Sequence, residues 1–194
     1  MNKNLIRLIG GLVVIFFSVF VILTQVNFLD YRSPKTYDKI DEITLNDFRG
    51  LEFFQNTLYG NEHFAYIKTS IDYDFEKDSI RVESFFHPSS SYVYNRKAFS
   101  NELLTHELYH FRIKEMYVRM IKSQISKFKK VNKTEIEDLI GKMKIKERQF
   151  QIKYDDDTFH SYVLSEQKKY EKSIDSLLTL YSNFKNPKVY IYEK

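Results

Sequence analysis

Residues 99–120 read FSNELLTHELYHFRIKEMYVRM. Phe99, Leu103, His106, His110, Ile113, Tyr117 and Met120 recur at steps of three or four, so they share one face of a helix. No Gly or Pro interrupts the chain between Lys97 and Phe128, and the pattern predicts a single helix over that span. Two histidines four residues apart on the inward face can reach one tetrahedral metal ion, with nitrogen–metal distances of about 2.0–2.1 Å. Glu107 follows the first of them, which gives His106-Glu107-Leu108-Tyr109-His110 the HExxH spacing. In that arrangement the imidazoles are ligands, and the glutamate takes a proton from a water polarised by the metal. The rival reading is two core histidines bonded to their neighbours. Burying two adjacent imidazoles without a shared partner is costly, which favours the metal.

A third ligand is needed, and His160 is the choice. It ends the run Tyr154-Asp155-Asp156-Asp157-Thr158-Phe159-His160, where a last helix from about Thr158 to Tyr181 is expected to begin. Asp155 or Asp157 is then placed to orient a ligand imidazole, or Asp157 to cap that helix. Glu135 and Glu137 compete as ligands from the preceding helix, although Thr134 and Glu137 also fit a capping box. His63 and His87 read as loop or strand-end histidines. Tyr92 or Tyr94 is a candidate donor to an oxyanion near the metal, against plain strand packing. The chain has no cysteine, which excludes disulfides, thiolate zinc sites and a cysteine nucleophile.

Outward from this centre, Ala65–Phe75 and Ile80–Phe86 carry strand-like Tyr, Ile, Thr and Phe around a turn at Glu76–Ser79, and Ile80, Val82, Ser84 and Phe86 alternate onto one side. Tyr92–Tyr94 and Val189–Tyr192 read as further short strands. The expected fold class is therefore α+β, zincin-like: a small antiparallel sheet packed on about three helices. At the other end, Leu8–Leu23 contains no charge and follows Lys3 and Arg7. No small-x-small cleavage site follows, so residues 1–27 read as a retained signal anchor or transmembrane helix. Residues 28–42 read as a linker and 43–194 as the domain. The leading tail is very short, which points to an extracytoplasmic domain. Residues 111–153 hold 13 Lys or Arg against 5 Asp or Glu, read as solvated helix faces. No nucleic-acid module accompanies them, so no nucleic-acid partner is expected.

From about Leu45 to Leu178 the chain resembles the bacterial domain of unknown function numbered 922, described as a secreted zinc-dependent protease. The pieces are Asp47-Phe48-Arg49-Gly50, Ser91-Tyr92, Glu102-Leu103-Leu104-x-His106-Glu107-x-x-His110-Phe111-x-Ile113, Tyr154-Asp155-x-x-Thr158-x-His160 and Gln167-x-x-Tyr170. The resemblance implies that His106, His110 and His160 group around a metal and that Glu107 is the acid/base. This chain departs from the family pattern at Leu45 and Tyr92, where Trp is usual, at Leu108 and Arg112, where Gln and Asp are common, and at Ser161, where Gly is common. Residue pattern and resemblance together predict a membrane-anchored zinc metallopeptidase acting on a peptide or protein substrate. The alternatives are a non-catalytic, metal-stabilised envelope scaffold, whose closed site would take Asp155 or Asp157 as a fourth ligand, and a metal-dependent hydrolase of glycans or esters.

Overall fold

The alternation in residues 80–86 organises the molecule, a computed structural model that describes residues 3–51, 65–94, 100–128 and 132–190. Among these residues the helices are α1 (Lys3–Gln25), α2 (Asn101–Ile125), α3 (Lys133–Thr158) and α4 (Leu164–Leu180). The strands are β1 (Lys35–Thr36), β2 (Ala65–Tyr66), β3 (Thr69–Phe75), β4 (Ser79–Phe86), β5 (Tyr92–Val93) and β6 (Lys188–Tyr190). The class is α+β, and the sheet is small and antiparallel, as the pattern implied.

Strand β4 is the centre of the sheet. Ile80, Val82, Ser84 and Phe86 are all buried on its inner side. β3 pairs with β4 in register from Thr69 opposite Phe86 to Phe75 opposite Ile80. The other edge of β4 takes β1 at Phe85–Phe86 and β6 at Ser79–Arg81. β3 therefore has a neighbour on one side only among the described residues. β2 pairs separately with β5, and Tyr66 stacks on Tyr92 with centroids 5.5 Å apart.

Helix α2 lies between the sheet and the pair α3 and α4. Ser100 caps it by accepting from Leu103 N at 3.2 Å. The expected start at Lys97 and the stripe residue Phe99 fall outside the described residues, as does His63. With cover on two sides, α2 buries more than one stripe. Phe111, Val118 and Ile121 are fully buried, and so are the polar His106, Glu107, Glu115 and Lys122. One apolar cluster joins α2, α3, α4 and the sheet. A second gathers Phe111 and Leu103 with Phe86, Val93, Ile40, Ile43 and Phe48.

That second cluster shows residues 28–42 as part of the fold rather than as a free linker. Lys35–Thr36 adds to the sheet, and the 3₁₀ turn Tyr37–Glu42 buries Ile40. The segment Asp47–Gly50 has a packing role at each position. Asp47 pairs with Lys35 at 2.6 Å, Phe48 is fully buried, and Arg49 pairs with Asp30. Gly50 sits so close to the Ser91 carbonyl that a Cβ would lie 2.9 Å from its oxygen.

Two helix ends differ from the sequence reading. Asn132, not Thr134, caps α3, accepting from Thr134 N at 3.0 Å. α3 also continues to Thr158, so the last helix begins at Leu164. Thr158 Oγ1 bonds back to Tyr154 O at 2.6 Å and keeps the turn helical. The chain then leaves the helix through Phe159, His160 and Ser161 at φ of 46°, 51° and 78°. No Gly or Pro marks this break, which is why the pattern hid it.

Helix α1 stands apart from this packing. Lys3–Leu23 has 21 residues, contains an 18-residue window of mean hydropathy 2.7 with none of it buried, and is long and apolar enough to cross a membrane.

Phe111 sets the tightness of the second cluster, with its ring 5.4 Å from Tyr37 and 6.4 Å from Phe86. Phe111→Ala is expected to cost about 3–5 kcal/mol in urea unfolding; a loss under about 1 kcal/mol would show that the N-terminal segment does not pack there.

Candidate metal centre

Three segments bring their donors to one place. Helix α2 presents His106 and His110 one turn apart, the last turn of α3 presents Asp155, and the left-handed turn after it presents His160. Asp155 Oδ1 lies 2.9 Å from His110 Nε2, 3.2 Å from His106 Nε2 and 3.6 Å from His160 Nδ1. The two Nε2 atoms are 3.3 Å apart. His106, Asp155 and His160 each offer a ligand atom within 4.8 Å of the others. Ligands at about 2.0–2.1 Å from a tetrahedral zinc stand about 3.3 Å from one another. The donor set, imidazole and carboxylate without thiolate, is one that zinc accepts, so the residues fit the ion.

Glu107 turns toward the sheet. It is 5% exposed, and its Oε2 accepts from Ile67 N at 2.9 Å, between β2 and β3. A cleft of about 610 Å³ opens here. Residues 65–72 form one wall, and α2 and α3 form the other with Glu107, His110, Lys114, Glu147, Asp155 and His160.

Burial and the neighbouring charges set the protonation states. Burial raises Glu107 to about 7, although His110 and the Ile67 amide pull it down. Burial lowers His106 to about 4, so it is neutral. Burial would also lower His110, but the charge and hydrogen bond of Asp155 outweigh it and push this imidazole up to about 9. Burial works against the Asp155 carboxylate too, yet the three imidazoles hold it well below the usual carboxylate range. His160 is raised, chiefly by its hydrogen bond to Asp155.

Two residues that the sequence reading passed over brace the candidate ligands His106 and His110. Gln151 Oε1 pairs with His110 Nδ1, while its Nε2 donates to His110 O at 2.9 Å and to Glu147 Oε1 at 2.7 Å. This fixes His110 with Nε2 toward Asp155. The Tyr154 ring stacks on His106 at 4.7 Å and meets His110 edge-on at 5.1 Å. A signal was present in the sequence: Glu147, Gln151 and Asp155 are spaced by four, one polar stripe if the helix runs through them.

The other candidates are placed elsewhere. Asp157 caps no helix; it sits in the last turn of α3, pairs with Lys153 at 2.7 Å and accepts from Tyr170 Oη at 2.6 Å. Glu135 is in the first turn of α3 and Glu137 just after it, about 30 Å along the helix axis from Asp155. Tyr92 belongs to β5; its stacking partner Tyr66 lines the cleft, and Tyr92 does not. His87 Nε2 bonds to Ser70 Oγ at 2.8 Å.

No family model, no curated protein and no solved structure matches this chain.

With His110 raised to about 9 against an ordinary 6.5, its proton stabilises the metal-free fold fully below pH 6.5, and that contribution is lost as pH rises through 9. Zinc must displace the same proton. Zinc affinity is therefore expected to rise about tenfold per unit between pH 7 and 9 and then level off; a pH-independent affinity measured by chelator competition would contradict the His110–Asp155 pairing.

Proposed function

We propose that this chain is a membrane-anchored, zinc-dependent metallopeptidase of the HExxH, zincin-like kind, cleaving peptide bonds on the extracytoplasmic side of the membrane. One observation carries the reading. The carboxylate of Glu107 is buried and lines the cleft, next in sequence to His106 and bonded to Ile67 N just before β3, a strand with a neighbour on one side only among the described residues. The resemblance of residues 45–178 to secreted zinc-dependent proteases supports it, and α1 supplies the anchor.

When bound, zinc polarises the scissile carbonyl and acidifies a water. The chain supplies the rest. His106 and His110 hold the ion, with Asp155 and His160 beside them. An extended substrate lies along the edge of β3 that has no neighbour among the described residues, where backbone hydrogen bonds align it over Glu107. Glu107, raised to about 7, accepts the proton of the attacking water and passes it to the leaving amine. Gln151 and Tyr154 keep the imidazoles from turning.

The second reading, a metal-stabilised envelope module, draws on a different observation: both Asp155 and His160 lie near the α2 histidines, so four protein donors are at hand. Closed four-ligand sites are structural, whereas catalytic sites keep a position open.

Replacing Glu107 by Gln separates the two. The zinc-loaded wild type is expected to hydrolyse an unfolded protein such as denatured casein. E107Q is expected to keep its zinc and lose about 10²–10⁴-fold in rate. A Gln variant as fast as wild type would rule out the mechanism, and a zinc-loaded wild type with no hydrolysis at all would favour the scaffold.

A further inference from the structure

We infer that Asp155 is the third protein ligand of the metal and that His160 stands beside the remaining open position, facing the substrate rather than holding the metal. The inference rests on the zinc-hydrolase reading and exchanges the roles that the sequence pattern alone gives these two residues.

The first argument is the shape of the donor group. His106 Nε2, His110 Nε2 and Asp155 Oδ1 form a triangle closed on all three sides, with edges of 3.3, 3.2 and 2.9 Å. Every edge is near the roughly 3.3 Å of ligands that share a tetrahedral zinc. His160 meets this triangle at one side, 3.6 Å from Asp155, and its ring centroid is 6.3 Å from that of His106, against 4.9 Å between His106 and His110.

The second argument is how each group is held. Asp155 sits on a regular helix whose side chains Gln151 and Tyr154 also brace the α2 imidazoles, so all three corners of the triangle share one rigid frame. His160 follows the end of that helix, in the middle of three left-handed residues, with its backbone N–H donating to Asp155 O at 3.3 Å. Non-glycine residues hold this backbone at a cost, which fits a residue set to a particular direction. The side chain of His160 is 30% exposed against 1% for His106, and it lines the cleft where His106 does not.

The third argument is chemical. Two neutral imidazoles and one carboxylate leave one position of a tetrahedral ion for water and substrate. His160 Nδ1 faces Asp155, and the side chain lines the cleft beside that position. A ring N–H of His160 is placed there to donate to the carbonyl oxygen as it gains negative charge. Replacing the whole set by three histidines and an aspartate would fill that position.

The test compares zinc affinity in D155N, H160Q and, as a ligand control, H106Q. It uses the full chain in detergent, a chromophoric chelator as competitor and circular dichroism to follow the fold. D155N is expected to lose affinity like H106Q, by more than the about 10–100-fold typical of a group that only orients a ligand. H160Q is expected to stay within about threefold of wild type while its kcat on casein falls about 10²–10³-fold. If D155N does not fold, Asp155→Glu keeps the charge and moves it, and it is expected to weaken zinc while leaving the fold. Zinc lost from H160Q and kept in D155N would overturn the assignment, as would equal large losses in both, which mark a four-ligand site. A wild type that binds no zinc would instead remove the hydrolase reading on which the assignment depends.

Discussion

A carboxylate held against three imidazoles is the constraint around which this molecule is arranged. Desolvation alone raises Asp155 and lowers His106, His110 and His160. Asp155, His110 and His160 avoid that outcome because Asp155 Oδ1 sits within 3.6 Å of nitrogens from three directions. An ion pair of this kind is weak evidence for stability, since desolvation offsets most of the Coulomb gain. It is better evidence for a ligand, because a divalent cation supplies the compensating charge that one imidazole proton supplies in its absence.

The fold holds this cluster rigid. α2 is covered by the sheet on one side and by α3 and α4 on the other, and Gln151 and Tyr154 contact its two histidines. The sheet side brings the Ile67 amide to Glu107, and the α3 side brings Gln151, Tyr154 and Asp155. Residues 65–72 on one side and α2 and α3 on the other leave the cleft between them. Residues 35–50 close the opposite end of the core around Phe111, which ties the chain just after α1 to the helix that carries the site.

Much of this was legible in the sequence. The step of three or four through Leu103, His106, His110 and Ile113 gave α2, and alternation from Ile80 to Phe86 gave the central strand. His106, His110 and His160 stand around Asp155 Oδ1, and Glu107 lines the same cleft. What stayed hidden depended on one boundary. Phe159, His160 and Ser161 take left-handed backbone without glycine, so from sequence the last helix is expected to start at about Thr158. With that start at Leu164, Asp155 and Asp157 lie at the end of α3, where Asp155 Oδ1 faces the three imidazoles and Asp157 pairs with Lys153. The packing of residues 28–42 was hidden for a simpler reason. Its strand has two residues and its helix is a 3₁₀ turn, both too short for a periodic signal.

The most direct test of the account is X-ray absorption at the zinc edge of the full chain purified in detergent without added metal. The account predicts about one zinc per chain, with a nitrogen and oxygen shell at about 2.0–2.1 Å and the multiple scattering of at least two imidazoles. A protein that is folded yet carries no zinc, or zinc whose spectrum shows only water and no imidazole, would contradict it.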